Sequence, residues 1–177
     1  MSRIGKGYVQ IYTGNGKGKT TAALGLSLRA AGHGLKTIIV QFMKGQHYCE
    51  LESVKMLKGL ITIEQFGHPQ FCRLTDPPDA ADVKRAQAAL MRIREIISTK
   101  ACDVMVLDEA TTAVMYNLIK DSDLLGLIKD KPSGMELVMT GRGATPALIE
   151  AADLVTEMQD IKHYYNKGVQ ARKGIES

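Results

Sequence analysis

The run Thr13-Gly14-Asn15-Gly16-Lys17-Gly18-Lys19-Thr20-Thr21 stands between the apolar stretch Tyr8-Val9-Gln10-Ile11-Tyr12 and the small, apolar segment Ala22-Ala23-Leu24-Gly25-Leu26-Ser27-Leu28. A strand, a glycine-rich turn and a helix in that order constrain the fold strongly, because the helix must present its positive N-terminus to an anion held by the turn. Gly14, Gly16 and Gly18 let the backbone aim its N–H groups at phosphate oxygens, with Asn15, Lys17 and Thr21 completing the loop. Lys19 can reach those oxygens and the Thr20 hydroxyl can hold a magnesium ion. The chain is expected to bind a nucleoside triphosphate.

The loop departs from the standard pattern Gly-x-x-x-x-Gly-Lys-Ser/Thr, because Thr13 stands where the first glycine belongs. Either Thr13 takes that place or the loop is one residue shorter and starts at Gly14. A dinucleotide-binding loop is disfavoured, since Gly14-x-Gly16 is followed by Lys19 at the place of the third glycine.

The rest of the chain fits this setting. A length of 177 residues suits a single domain, spanning 1–177, with a sizeable core. No apolar run approaches the roughly 20 residues of a membrane span. The N-terminal Met1-Ser2-Arg3-Ile4-Gly5-Lys6-Gly7 lacks the apolar core of a signal peptide, so a cytoplasmic location and no membrane partner are expected. The net charge of +4 is mild and dispersed, which suits anionic ligands better than a nucleic-acid surface. The basic group Lys84, Arg85, Arg92 and Arg94 lies among Val83, Ala86, Leu90, Ile93 and Ile97 at helical spacing, and reads as that helix's solvated face. Cys49, Cys72 and Cys102 share no Cys-x-x-Cys spacing, so neither a disulfide framework nor a zinc site is expected, and His47 with Cys49 finds no second ligand pair. Cys102 reads as a buried small residue.

Strands are expected at 8–12, 37–42, 60–65, 104–107, 136–140 and 154–155, and helices at 19–31, 50–57, 79–98, 110–120 and 146–151. Near-continuous apolar strands alternating with helices indicate an α/β fold, a mostly parallel sheet with helices on both faces. Gly32 and Gly34 stop the first helix, Asp79 after Pro77-Pro78 caps the long one, and Pro132-Ser133-Gly134 turns into a late strand. The irregular stretch from Phe66 to Pro78 is long enough to suggest a functional loop.

Val104-Met105-Val106-Leu107-Asp108-Glu109 is a buried strand ending in two acids, as in the second half of a phosphate-loop NTPase, where a carboxylate points at magnesium. Ligands of such sheets bind beyond the carboxyl ends of the strands, so Asp108 and Glu109 should face Thr20. Taken alone, the same acids would suit the N-terminus of the next helix. Thr140-Gly141-Arg142-Gly143 ends another apolar strand and would place a guanidinium at the same edge, or an exposed arginine in a turn. Lys44, in Gln41-Phe42-Met43-Lys44-Gly45, either reaches anionic groups there or is a solvated turn lysine. His68 and Phe71 could line a flat ligand, whereas Phe66 could equally be core. With no Gly-x-Ser-x-Gly elbow and no Cys/His nucleophile, the chemistry should centre on the nucleotide.

Together these residues resemble the phosphate-loop family of ATP:corrinoid adenosyltransferases. The resemblance is carried by the run 12–21, by Val40-Gln41-Phe42-Met43-Lys44-Gly45, by Val106-Leu107-Asp108-Glu109, by Thr140-Gly141-Arg142-Gly143, and by Lys162-His163, Gly168-Val169 and Gly174-Ile175 in the tail. It implies a RecA-like fold, a homodimer, and use of MgATP with a reduced corrinoid as substrate. Cobalt, as Co(I), would attack the ribose C5′ of ATP and triphosphate would leave, with the triphosphate lying in the loop in the reverse sense. The resemblance further implies Lys17, Lys19, the loop N–H groups and magnesium on Thr20 as supports of the leaving group. Glu109 would contact magnesium or ribose and Arg142 the ligands. Phe66 and Phe71 would lie beside the corrinoid, and a flavoprotein would supply the electron. The chain has no tryptophan, which some relatives place in that loop. The rival readings are a RecA-like ATPase or small kinase, against which Thr13 speaks, and a nucleotide-gated binding module without chemistry.

Overall fold

A computed structural model describes residues 4–70 and 77–177. Six strands form one sheet: β1 (Val9–Thr13), β2 (Thr37–Phe42), β3 (Ile61–Phe66), β4 (Val104–Asp108), β5 (Glu136–Thr140) and β6 (Leu154–Glu157), in the spatial order β3-β2-β4-β5-β1-β6. Every neighbouring pair is parallel. The connecting helices are α1 (Lys19–Gly32), α2 (Glu50–Ser53), α3 (Ala80–Thr99), α4 (Ala110–Met115), α5 (Asp121–Asp130) and α6 (Pro146–Ala151), with 3-10 turns at Val54–Leu57 and Tyr164–Lys167.

The period-2 geometry of the central strands divides the interior into two cores. Val104 and Val106 of β4 and Val138 of β5 pack with Ala23, Ala30 and Ala31 of α1. The alternate residues Met105, Leu107, Leu137 and Met139 pack on the other face with Leu90, Ile93 and Ile96 of α3 and with Leu124 and Leu127 of α5. Strands buried on both sides explain why these segments read as continuous apolar runs. Each fully buried aliphatic side chain contributes roughly 1.5–3 kcal/mol over leaving it in water.

The helix expected over 110–120 is a correction: α4 stops at Met115, and α5, which the apolar pattern did not reveal, starts at Asp121. Asn117 adopts a left-handed φ of 57° and the Leu118 amide bonds back to the Ala113 carbonyl, which closes α4. The Asp123 carboxylate accepts from the Lys120 amide and starts α5. The segment 50–57 is a short α-helix running into a 3-10 turn. Asp79 caps α3 as expected, accepting from the Ala81 amide at 2.7 Å. Cys102 is buried beneath the sheet's opposite end, and burial pushes its thiol up to about 12, far from nucleophilic use.

One topological fact positions the site. β5 lies between β1, which feeds the glycine-rich loop, and β4, which ends in Asp108. The C-terminal ends of β1, β5, β4 and β2 therefore stand in a row.

Candidate active site

The glycine-rich loop begins at Gly14. Thr13 is the last residue of β1, paired with Glu157 of β6, and its hydroxyl oxygen accepts from the Ala144 amide at 3.3 Å. Gly14 then turns with φ 95°, where a Cβ would lie 2.4 Å from the Met158 carbonyl oxygen, so glycine is required for both conformation and space. The Met158 backbone clamps the loop by donating to Thr13 at 2.8 Å and accepting from the Gly16 amide at 2.7 Å. Gly18, with φ 117°, leads into α1 without a side-chain cap, leaving the first-turn N–H groups available to an anion. Lys19 is buried, its Nζ donating to the Gly14 and Gly16 carbonyls at 2.7 and 2.8 Å. Burial lowers its pKa; Glu109 opposes that shift, Arg142 adds to it and Asp108 opposes it.

Asp108 lies at the centre and is fully buried. Its Oδ1 accepts from Thr20 Oγ1 at 2.8 Å and Thr140 Oγ1 at 2.7 Å, and its Oδ2 from Gln41 Nε2 at 3.0 Å and Lys44 Nζ at 2.7 Å. Lys44 Nζ also reaches Thr20 Oγ1 at 3.1 Å and lies over the Tyr48 ring. Burial alone would raise the Asp108 pKa, but Lys44 and the two hydroxyls outweigh it and hold the carboxyl below the usual range. For Lys44 the pull of burial is likewise overcome by Asp108, and its pKa is raised.

Gln41 and Thr140 stand within the quoted motifs, but their spacing gave them no role; the fold makes both of them donors to Asp108. Their signal is present: each is the polar residue near the C-terminal end of an otherwise apolar strand, after Ile38-Ile39-Val40 and Leu137-Val138-Met139. Both are fully buried, and a buried polar group requires a partner.

Glu109 stands at the N-terminal boundary of α4 with φ 60° and ψ 22°, an unusual conformation for glutamate and one that clusters at functional sites. Its amide donates to Thr140 Oγ1 at 3.0 Å and its Oε2 accepts from Thr112 Oγ1 at 2.6 Å. Thr112 Oγ1 accepts from the Arg142 amide at 2.8 Å. Between them Gly141, with φ 139°, passes so close that a Cβ would meet Thr111 and Thr112 at 2.5–2.7 Å.

Asn15, Gly16, Lys17, Gly18, Lys19, Thr20 and Thr21 line one cavity of about 820 Å³ together with Lys44, Glu109 and Arg142. Lys17 and Arg142 are exposed at its rim. The cavity's far wall comes from the tail, through Asp160, His163, Tyr165, Asn166 and Ile175. No periodicity marks these residues, so only the resemblance pointed to this segment. Phe66 does not join the cavity lining; it ends β3 opposite Phe42 and packs against the larger core. Phe71 lies outside the described residues. A second cavity, of about 940 Å³, opens at the other end of the sheet beside Cys102, Asp103 and Met135, remote from the loop. A hydroxyl and carboxylates are hard oxygen donors of the kind magnesium takes alongside phosphate, so Thr20 with Asp108 and Glu109 fits that ion. Among the described residues no cluster of three or more His, Cys, Asp or Glu side chains could hold a metal by itself.

Residues 5–177 match the family model described as ATP:corrinoid adenosyltransferase BtuR/CobO/CobP. A corrinoid adenosyltransferase of Pseudomonas aeruginosa is 34% identical over 177 residues, covering 99% of this chain and 86% of the relative. One from Sinorhizobium is 35% identical over 97% of this chain and 80% of its own length. Corrinoid adenosyltransferase CobA of Salmonella typhimurium is 31% identical, with coverages of 97% and 86%. Among solved structures, the flagellar accessory protein FlaH of Methanocaldococcus jannaschii superposes with a TM-score of 0.59 at 13% identity, over 87% of this chain and 72% of that one. A KaiC-like protein of Pyrococcus horikoshii gives 0.57 at 15%, over 89% and 74%. These two likenesses concern the fold, which is the RecA-like phosphate-loop fold.

Proposed function

The chain belongs to the ATP:corrinoid adenosyltransferase family, the enzymes that transfer adenosyl from ATP to a corrinoid in cobalamin synthesis, and from that premise we propose how its residues perform the reaction. The substrates are MgATP and a corrinoid reduced to Co(I), and the bond formed is cobalt to ribose C5′. The bond broken is C5′ to the triphosphate oxygen, and both of its electrons leave with triphosphate. Because Co(I) is already a strong nucleophile, the protein needs no general base; it must align cobalt with C5′ and stabilise the leaving group.

The observation that supports this reading is the state of Asp108. A carboxylate that accepts four donors and is held below its usual pKa is suited to orienting cations and hydroxyls, not to taking a proton from water. The loop amides, Lys17 and Lys19 would carry the triphosphate, Arg142 would meet ligand charge at the rim, and Thr20 with Asp108 and Glu109 would hold magnesium. When bound, that ion would supply charge neutralisation of the phosphates. A start at Gly14 leaves the loop one residue shorter than the standard pattern, which agrees with a triphosphate lying in the reverse sense.

The finer partners belong to the same proposal: a cytoplasmic homodimer served by a flavoprotein reductant. The all-exposed edge strand β6, with Leu154 and Val155 in solvent, supports association. No helix among the described residues is long and apolar enough to cross a membrane. The deciding experiment mixes protein, ATP and chemically reduced cobalamin anaerobically. The expected outcome is a corrinoid spectral change with stoichiometric triphosphate; ADP and phosphate as products would instead establish the kinase or ATPase reading.

A further inference from the structure

The Asp108 carboxylate is saturated, and that sets a condition on how a divalent cation enters. A carboxylate offers about four lone-pair sites, and all are taken by Thr20, Thr140, Gln41 and Lys44. Any cation or cation-bound water that is to touch Asp108 must displace one of them. Three of the four are held in place. Thr140 sits in a central strand and also accepts the Glu109 amide. Gln41 is fixed by Gln65, whose Nε2 donates to Gln41 Oε1 at 3.0 Å and to the Gln46 carbonyl at 3.0 Å. Thr20 is in the first turn of α1 and is itself the expected magnesium ligand.

Lys44 differs from the other three. It is joined to Asp108 only through its flexible stem, its side chain is 16% exposed, and it borders the cavity that holds the loop. Its ammonium also occupies the gap between Asp108 Oδ2 and Thr20 Oγ1, the two groups that magnesium would use. An ammonium and a magnesium ion sharing those oxygens would repel at contact distance.

We propose that Lys44 is an exchangeable counter-ion: it neutralises Asp108 until the metal–nucleotide arrives, then yields those oxygens to the metal and turns its charge to the triphosphate. The exchange keeps the buried carboxylate paired at every stage, which a site closed by burial demands. It also makes Lys44 a positioning residue that sets metal affinity and not merely phosphate affinity. The backbone that carries it is braced for this, since Met43 has φ 61° and Gly67 passes against Met43 and Lys44 so closely that a Cβ there would lie 2.3–2.4 Å from their backbone.

The inference rests on the magnesium–nucleotide reading of the site, and the test separates the two. Manganese, used as a spin-active magnesium substitute, is titrated into the full chain without nucleotide and followed by electron paramagnetic resonance. Lys44→Met should bind it at least about tenfold more tightly than the unmodified chain, because a competing unit charge is gone. Its thermal midpoint should start lower and be recovered by millimolar magnesium, while the unmodified chain responds little. Lys44→Arg, which keeps the charge and adds a bidentate grip, should bind manganese no better than the unmodified chain, and it serves if the methionine variant does not fold. Adding Asp108→Asn to Lys44→Met should erase the gain. Equal or weaker manganese binding by Lys44→Met overturns the exchange, as does tighter binding by Lys44→Arg. If the unmodified chain with ATP fails to bind manganese, the magnesium–nucleotide reading itself fails.

Discussion

At the scale of single residues, the site combines groups that the sequence announces with groups it conceals. Lys19 is announced by its motif, and its Nζ already rests on two loop carbonyls, at the mouth where phosphate oxygens would compete for it. Lys19→Met removes the ammonium and keeps the stem, so ATP affinity measured by calorimetry should fall by at least about tenfold while the thermal midpoint changes little. Asp108 makes the opposite prediction, a stability effect with a pH signature. Its pKa is depressed, so its contribution is complete above the unfolded carboxylate value of about 3.9 and is lost as pH falls through the lower folded value. The Lys44 pKa is raised, so its contribution is complete below about 10.4 and is lost as pH rises through the higher folded value. Asp108→Asn leaves the half-buried Lys44 without its carboxylate and should cost about 3 kcal/mol in denaturant unfolding. That deficit should be flat from about pH 5 to 9 and shrink at both extremes. A deficit that grows toward acid would contradict the pairing.

Among the elements, the loop shows how geometry that is local in sequence is set by contacts that are not. The glycine at position 14 answers the Met158 carbonyl, which arrives from beyond β6. Gly14→Ala combines a φ of 95° with a 2.4 Å clash against backbone, and should destabilise the fold by more than 1 kcal/mol and weaken ATP binding together. Asp79→Ala is the contrast: loss of the α3 cap should cost about 1 kcal/mol in the same unfolding assay and leave the KM for ATP unchanged, because α3 lies on the far core. The same division explains what could be read beforehand. Central strands buried on both faces, the alternating β1, the β-branched edge strand β3 and helices with an apolar stripe show their pattern in the sequence, so β1 to β5, α1 and α3 were legible to within a residue or two. The break between α4 and α5 was not, because it depends on the left-handed Asn117 and on the Lys120–Asp123 cap, neither of which alters the apolar pattern. Lys19, Asp108 and Glu109 were legible by motif. Gln41 and Thr140 stood within quoted motifs, but their contacts with Asp108 were hidden, because a single polar residue at a strand end is commonplace until the sheet order places it beside a carboxylate.

Across the whole molecule, stability is unevenly distributed. The sheet is fixed by two apolar cores, whereas the strand and tail after Ala152 contribute no residue to either core's buried set. The tail is joined to the sheet through β6 beside β1 and through the Met158 backbone, and beyond that it is folded by polar contacts among its own residues. The Arg172 guanidinium and amide meet the Glu176 carboxylate at 2.8–3.3 Å, Tyr164 donates to the same carboxylate, and Arg172 lies over the Tyr164 ring. Hydrogen bonds from Arg172, then from Tyr164, draw the Glu176 pKa down to about 2. A depressed carboxyl contributes above its unfolded value of about 4.3, and that contribution disappears as pH falls toward 2. Regions held this way open before the core does. Because Tyr165, Asn166 and Ile175 form the far wall of the cavity, opening the tail removes that wall without unfolding the sheet. Hydrogen exchange should therefore show residues 160–177 losing protection as pH falls from about 4 toward 2 while β4 and β5 stay protected. Arg172→Ala should produce the same local opening at neutral pH and raise the KM for ATP severalfold, with the global unfolding midpoint nearly unmoved. If tail and sheet instead lose protection together in both experiments, the tail is an integral part of the folding unit and not a separable wall of the site.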